Sequence, residues 1–166
     1  DRLTKMVNDV LRAGSLAENA LRGEKKLRVD RIVAEVIDDY RLLAKARRVT
    51  CRLDLAPTFT KANYDMMHHV ISNLVSNAVR YSEVGSVIKV TCRQHRLVVI
   101  NKCQPLTQAQ LQRVFDPFYH TDRQVSPESD GSGVGLYIVK MLLEAKGLEY
   151  SFSPVKQGMT FTIHFS

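Results

Sequence analysis

Residues 131–140 read Gly-Ser-Gly-Val-Gly-Leu-Tyr-Ile-Val-Lys, so three alternating glycines run directly into an apolar helical pattern. Glycine lets the backbone approach a phosphate without a side chain in the way. The first turn of a helix adds free amide donors and the positive end of the helix dipole. The junction therefore predicts an anion site, although a flexible loop that closes on a helix would give the same pattern.

Two common phosphate loops do not fit this stretch. A P-loop needs Lys and then Ser or Thr directly after its last glycine, whereas Leu136 and Tyr137 follow Gly135. A dinucleotide-binding fingerprint needs a strand before its first glycine, but residues 122–130 are polar and contain a proline. We therefore expect a different kind of nucleotide site, in which the long polar approach forms a mobile lid.

Residues 63–82 predict a helix with a polar stripe beside its buried arc, and Asn63 is placed to cap its start. The apolar arc consists of Met67, Val70, Ile71, Leu74, Val75 and Ala78. The neighbouring stripe consists of His69, Asn73, Asn77 and Arg80. Such polar side chains are either solvated or hold a ligand, and this helix alone does not decide between the two. Asparagine carbonyls are hard oxygen ligands suited to Mg²⁺, and Asn73 and Asn77 are spaced to face one ion.

Three motifs in this order resemble those of sensor histidine kinases. Residues 73–82, Asn-Leu-Val-Ser-Asn-Ala-Val-Arg-Tyr-Ser, resemble the N box. Residues 115–119, Phe-Asp-Pro-Phe-Tyr, resemble the F box, and residues 131–136 resemble the G2 box. From about residue 63 to its end the chain is similar to the catalytic ATP-binding domain that these kinases share with Hsp90-like and mismatch-repair ATPases. The sequence around Asn101 and at residues 133–140 is most similar to that of kinases of Gram-positive bacteria, including vancomycin-resistance sensors.

This resemblance implies a Mg-ATP site and assigns roles to residues. Asn77 becomes the first choice for the Mg²⁺ ligand and Asn73 a support or second ligand, and these two are the catalytic candidates. Arg80 would reach a phosphate or remain a solvated charge, and Tyr81 would stack on adenine or belong to the core. The implied phosphate-binding turn consists of Gly131, Ser132, Gly133, Val134, Gly135 and Leu136. Phe115 and Phe118 are expected to anchor the start of the lid as core residues.

The adenine box departs from the family pattern. The family's Asp-x-Gly-x-Gly falls on residues 101–105, Asn-Lys-Cys-Gln-Pro. Asn101 keeps a neutral carbonyl acceptor for the adenine amino group, and the lost charge assistance should cost about 1 kcal/mol. Pro105 lacks an amide hydrogen, which puts a backbone contact there in doubt. An inactive relative that binds ATP as a regulatory or interaction module therefore stays open as the alternative.

Composition narrows the possible partners. The 166 residues are 45% hydrophobic, enough for one core with an appendage, and the net charge of +7 is spread along the chain without a nucleic-acid-binding motif. We therefore expect no nucleic-acid partner. Cys51, Cys92 and Cys103 lack metal-ligand spacing and predict buried thiols in a reducing compartment. No apolar run approaches the ~18 residues of a membrane span. We expect a cytoplasmic domain of a membrane-anchored bacterial sensor, with the anchor outside this chain.

The N-terminal part is predicted to be helical. Apolar residues recur with a period of about 3.5 from residue 3 to residue 21, residues 23–26 interrupt the pattern, and Asp30 is placed to cap a second helix. The resemblance implies that residues 1–48 are the C-terminal part of a dimerisation and phosphoacceptor hairpin with its linker. For residues 30–46, an ordinary amphipathic helix that packs on the same domain fits equally well.

Strands and helices alternate from residue 50 onward. The expected strands cover residues 51–55, 87–93, 96–101, 149–153 and 159–165. Gln94 and His95 are expected to turn one hairpin, Thr107 to open a short helix with a capping box, and Gly147 to end the helix behind the glycines. We expect residues 49–166 to form the catalytic ATP-binding domain, with an α/β fold: a two-layer sandwich of a mixed β-sheet with helices on one face.

The function implied by the resemblance is transfer of the γ-phosphate of Mg-ATP to a histidine on a separate helix, for relay to an aspartate of a response regulator. The expected partners are the phosphoacceptor helix of its own full-length homodimer and that regulator, while the fragment itself is expected to be monomeric. The five histidines are His68, His69, His95, His120 and His164. None lies in the N-terminal helical region, so the acceptor is expected outside this chain. A rival Hsp90-like ATPase would need a carboxylate to orient water, and Asn73 occupies that position without one.

Overall fold

The computed structural model describes residues 1–117, 119 and 134–165. Six helices and seven strands occur in these residues. In chain order they are α1 (Arg2–Glu18), β1 (Lys25–Arg28), α2 (Val29–Asp39), α3 (Arg41–Ala46), β2 (Thr50–Leu55), β3 (Phe59–Ala62), α4 (Tyr64–Tyr81), β4 (Val87–Arg93), β5 (Arg96–Lys102), α5 (Gln108–Arg113), α6 (Gly135–Lys146), β6 (Glu149–Val155) and β7 (Gly158–His164). Within these elements no helix has the length and apolar character to cross a membrane.

Five strands form one mixed sheet in the order β2-β4-β5-β7-β6. β2 runs parallel to β4, and the other neighbours are antiparallel. Along β4, Ile88, Val90 and Cys92 are buried while the residues between them are more exposed, as expected for a sheet with one face against the core. This arrangement confirms the predicted α/β class with a mixed sheet.

Several local predictions are confirmed. The β4–β5 hairpin turns at Gln94 and His95, whose φ angles are 52° and 62°, as a two-residue turn of matching twist requires. The Asn63 side chain accepts a hydrogen bond from the Met66 amide and so caps α4. Thr107 and Gln110 form the predicted capping box of α5. Gly147 ends α6 in the left-handed conformation, with φ at 80°.

The prediction that Asp30 caps the second helix is wrong. α2 begins at Val29, and Asp30 lies buried in its first turn. The sequence pattern also missed the short antiparallel ribbon of β1 and β3. This ribbon explains the difference, because it brings Thr58 beside the start of α2: Val29 donates to the Thr58 carbonyl at 2.8 Å, and the Thr58 amide donates to Asp30 Oδ1 at 3.0 Å. Asp30 also accepts two bonds from Arg28, the main cause of its lowered pKa.

A single core runs through the described residues. It includes Ala13 of α1, Val33 of α2 and Ile71 of α4, so it crosses the predicted boundary between residues 48 and 49. α2 packs on α4, as in the alternative left open for residues 30–46, and α1 packs on α6. Arg47, between α3 and β2, donates to the carbonyls of Val79 and Ser82 at the end of α4. The helical N-terminal part is thus joined to the helices that carry the candidate site.

Candidate functional site

The centre of the candidate site is the contact between α4 and α6. Asn73 lies half-buried on α4, and its Nδ2 donates to the His69 carbonyl one turn earlier at 3.0 Å. That bond directs Oδ1 toward the start of α6, where a Cβ placed on Gly135 would lie 3.3 Å from it. Glycine at position 135 therefore leaves room for the amide oxygen of Asn73. The structure brings together the asparagine stripe and the last glycine of the turn.

Asn77 and Arg80 continue the stripe toward the C-terminal end of α4, and both are half-buried. Arg80 Nη1 donates to Ser76 Oγ at 2.8 Å, while its Nε is buried with no hydrogen-bond partner among the described residues. The Asn77 side chain likewise has no hydrogen bond to that part of the chain. A buried donor without a partner is rare in folded proteins, so Arg80 Nε points to a water or a ligand atom at this position.

His69 belongs to the predicted stripe but lies in a different environment. Its side chain is half-buried and its Nε2 has no hydrogen-bond partner within the described ranges. Burial is the main cause that lowers the pKa of His69, and the charge of Arg12 on α1 lowers it further. The imidazole is therefore neutral near pH 7 and is influenced by a charge of α1, whereas Asn73 faces α6.

The predicted adenine box begins at the end of β5, where Asn101 is 7% exposed and pairs with Met159 of β7. A Cβ on Gly158 would lie 2.1 Å from the Asn101 carbonyl oxygen, so only glycine fits at position 158. The Cys103 amide donates to the Gln157 carbonyl at 3.0 Å, and the Glu83 amide donates to the Lys102 carbonyl at 2.8 Å. These bonds join the predicted adenine box to the β6–β7 turn and to the loop after α4. The sequence pattern did not predict a role for Gly158 in the site, although a glycine just inside a strand is a signal of close backbone approach.

The described part of the glycine turn packs inward. The side chains of Val134 and Leu136 are buried in the core, and the Val134 carbonyl accepts the first α6 bond from Ile138. Backbone amides, not these side chains, are therefore available to a ligand. Tyr81 is half-buried at the end of α4. Gly131, Ser132 and Gly133, with Phe118 of the F box, lie outside the described residues. Phe115 packs edge-on against Tyr150 and Phe161, as expected for a core residue.

The donor atoms at this site fit Mg²⁺. No group of three or more His, Cys, Asp or Glu side chains suited to a metal occurs among the described residues. Asn73 Oδ1 and the Asn77 amide oxygen are hard, neutral donors, and Mg²⁺ in nucleotide sites is held by a few protein oxygens together with phosphates and waters. The arrangement therefore suits a cation that arrives with a polyphosphate, rather than one held by an all-protein cage.

Comparison with known families identifies the class of protein. Residues 62–166 match the family described as histidine kinase-, DNA gyrase B-, and HSP90-like ATPase. The chain belongs to this family. The match begins at the last residue of β3 and covers α4, α6 and the adenine box, which are the elements that form the candidate site.

Individual relatives are more specific. The chain is 30% identical over 171 residues to the sensor histidine protein kinase HK06 of Streptococcus pneumoniae, covering 97% of this chain and 38% of the relative. It is 34% identical over 167 residues to the sensor histidine kinase CusS of Escherichia coli, covering 98% of this chain and 35% of the relative. In structure it resembles the Acinetobacter baumannii histidine kinase AdeS, with a TM-score of 0.75 and 22% identity over 99% of this chain and 78% of that one.

These comparisons confirm the predicted ATP-binding catalytic domain of a sensor histidine kinase. The likeness to AdeS supports the fold alone. The chain spans less than two fifths of the length of the curated relatives it matches. Relatives from Streptococcus and Escherichia match at similar identities, so placement in the Gram-positive, vancomycin-sensor-like subgroup stays a prediction.

Proposed function

We propose that the whole protein transfers the γ-phosphate of Mg-ATP to a histidine outside this chain, and that the chain supplies the nucleotide site. The observation that carries this proposal is the position of Asn73 Oδ1 over Gly135 at the start of α6. It places an oxygen donor for a cation beside the backbone donors for phosphate. Phosphoryl transfer needs these two groups next to each other, because catalysis there is mainly positioning and charge neutralisation.

Each residue has a defined part in this proposal. The amides of the glycine turn and of the first turn of α6 hold the phosphates. Asn77, with Asn73 in support, holds Mg²⁺, which when bound offsets phosphate charge and orients the γ-phosphoryl group. The unpartnered Nε of Arg80 donates to a phosphate oxygen, and Asn101 accepts the adenine amino group while Tyr81 stacks on the ring. The imidazole of the acceptor histidine is the nucleophile, so no residue of this chain needs to form a covalent intermediate.

The partners follow from this activity. The acceptor lies on the phosphoacceptor helix of the protein's own dimer, and the phosphoryl group passes from there to an aspartate of a response regulator. Residues 1–48 include the end of that helical region and its linker, residues 49–166 form the catalytic domain, and α2 and α3 pack on α4 and β2 of that domain. The site lies in the cytoplasmic part of a membrane-anchored sensor.

The metal assignment is tested with Asn77→Ala. We expect affinity for Mg-ATP to fall about tenfold or more, because the side chain acts through the ion, while affinity for ADP in the presence of a chelator changes less than about twofold. Isothermal titration calorimetry measures both. Asn8→Ala, at an exposed asparagine of α1, is the matched control and should change neither affinity. Equal losses for both ligands in Asn77→Ala would contradict the assignment.

Kinase activity is tested separately from nucleotide binding. The chain alone, incubated with γ-labelled ATP, should form no acid-labile, base-stable phosphohistidine, because His68 and His69 lie on the nucleotide helix itself. Adding a histidine-kinase phosphoacceptor hairpin in trans or in cis should label that added helix. Strong self-labelling of the chain would refute an external acceptor. ATP binding without labelling of the hairpin would favour the alternative, an inactive kinase that binds ATP as a regulatory module. The altered adenine box is the observation in favour of that alternative.

A further inference from the structure

A concave surface lies between α2, α3 and the edge strand β2. It encloses about 520 Å³. Its lining residues, which we call the basic cleft, are Ile37, Arg41, Ala44, Lys45, Arg48, Val49, Thr50 and Cys51. None of them belongs to the candidate nucleotide site, so any role of this cleft is additional to ATP binding.

The basic cleft combines a cationic rim with an apolar floor. Arg41, Lys45 and Arg48 are exposed, while Ala44 and Val49 are buried. Arg41 forms an ion pair with Asp38 of α2, but within the described residues neither Lys45 nor Arg48 has an acidic partner. Two uncompensated cations above an apolar floor favour a ligand that is both acidic and partly apolar.

The backbone at Arg48 supports a role for its side chain. Arg48 follows the end of α3, where its amide donates to the Lys45 carbonyl at 3.0 Å and the Val49 amide donates to the Ala44 carbonyl at 2.9 Å. This pair of bonds is a Schellman motif, which requires the left-handed conformation seen in the φ of 57° at Arg48. Glycine is the favoured residue there, and other L-residues adopt this conformation at a cost. The backbone at position 48 therefore does not require an arginine, and the exposed side chain of Arg48 lines the cleft.

The edge of the sheet extends the cleft. β2 pairs only with β4 in the described sheet, so the amides and carbonyls on its outer side have no neighbouring strand. Leu53 is in register with buried Val90 and shares its face, yet it is 41% exposed. An open strand edge beside an exposed apolar side chain is the surface to which an extended peptide adds as a further strand.

We propose that the basic cleft and the outer edge of β2 bind an extended acidic segment of a partner protein. Its carboxylates lie against Arg48, Lys45 and Arg41, an apolar side chain covers Leu53, and its backbone pairs with β2. A free phosphate would use the cations but leave the apolar floor and the strand edge unoccupied. A membrane surface would not pair with a strand edge. The surface therefore fits a peptide best.

The test uses a fluorescein-labelled, acetylated heptapeptide of alternating glutamate and valine, titrated against the chain without nucleotide and followed by fluorescence anisotropy. The absence of nucleotide makes the result independent of the proposed kinase function. We expect saturable binding that weakens with added salt, and none for the same peptide with lysine in place of glutamate. Arg48→Gly should weaken binding about fivefold and Lys45→Gln about threefold.

Arg48→Gly also separates binding from folding. Because glycine suits the left-handed position, this variant should raise the thermal midpoint by about 2 °C while it loses affinity, so the loss cannot come from unfolding. Lys156→Gln, in the β6–β7 turn at the other sheet edge, is the matched control and should bind like the wild type. Unchanged peptide affinity in both cleft variants would overturn the proposal. So would equal binding of the lysine peptide, or cleft-dependent binding of inorganic phosphate or phosphatidylglycerol vesicles in place of the acidic peptide.

Discussion

The two halves of the candidate nucleotide site use glycine in different ways. In the phosphate half, formed by Asn73, Asn77, Arg80 and the start of α6, Gly135 leaves room for a side chain: a Cβ there would lie 3.3 Å from Asn73 Oδ1. In the adenine half, formed by residues 101–105 with Gly158, the glycine leaves room for backbone: a Cβ on Gly158 would lie 2.1 Å from the Asn101 carbonyl oxygen. A side-chain amide can rotate away from an added methyl group, but a strand pair cannot do so without moving the sheet.

Because of this difference, we expect substitutions in one half of the site to affect ligand binding and substitutions in the other half to affect stability. A small group added in the phosphate half should leave the fold stable but displace the atoms that contact the ligand. The adenine half should lose stability first, because Asn101 and Gly158 lie in adjacent strands at the centre of the sheet order. In the predicted motif assignment, the phosphate half keeps the family's residue pattern, whereas residues 101–105 replace the aspartate and both glycines of the adenine box. Substitutions at the two glycines therefore test the comparison directly.

The largest effect is expected for Gly158→Ala. The added methyl group would meet the Asn101 carbonyl oxygen at 2.1 Å, the Asn101 carbonyl carbon at 3.1 Å and Lys102 Cα at 3.3 Å, all of them backbone atoms. Because β5 and β7 must shift apart to accept it, we expect a loss of about 3 kcal/mol in the free energy of unfolding. Urea unfolding followed by circular dichroism measures this change.

Gly14→Ala is the matched control for that substitution. Gly14 lies within α1, and a Cβ there would have no neighbour within 4 Å. Alanine should stabilise the helix by about 0.5–1 kcal/mol, the opposite sign to Gly158→Ala. A Gly158→Ala variant as stable as the wild type would show that the adenine half is not held by its backbone contact.

Gly135→Ala should have an intermediate effect, which falls on ligand affinity and not on stability. The new methyl group would lie 3.3 Å from Asn73 Oδ1, so the amide must move by a few tenths of an ångström. Alanine suits the first residue of a helix, and we expect the free energy of unfolding to change by less than about 0.5 kcal/mol. Displacing a ligand atom should weaken Mg-ATP about tenfold, measured by calorimetry. A variant that loses stability but keeps its affinity would reverse the assignment of the two halves.

The part of this molecule that the sequence could predict is the part with local signals. The caps at Asn63 and Thr107, the left-handed Gly147 and the turn at Gln94 and His95 each depend on residues a few positions apart, and all are confirmed. The buried position of Asp30 depends on pairing between β1 and β3, which are distant in sequence. Strands of four residues are too short for their sequence pattern to predict such pairing.

The distinction between local signals and contacts distant in sequence also applies to the candidate site. Helical spacing alone placed Asn73 and Asn77 on one stripe, and the glycines marked the start of α6. The contact of Gly158 with Asn101 could not be read from spacing, because it depends on the register between β5 and β7. The influence of α1 charges on His69 was also not predictable, since it depends on how two helices pack. The roles of the site residues remain predictions that the proposed substitutions test.

The smallest expected effect is that of Asn101→Asp, which restores the family's carboxylate. Asparagine and aspartate have nearly the same size and shape, so the substitution at the nearly buried Asn101 changes the charge with almost no change in shape. A carboxylate accepts the bond from the adenine amino group with charge assistance worth about 1 kcal/mol, and we expect ATP affinity to rise about fivefold. Calorimetry with ATP, and with GTP as a control that lacks this amino group, measures the gain. Because the Cys103 amide is bonded to the Gln157 carbonyl, the box has a fixed backbone path that the substitution leaves in place. Unchanged or weaker ATP binding would therefore mean that Cys103 and Pro105 have reshaped the pocket and that adenine is recognised elsewhere.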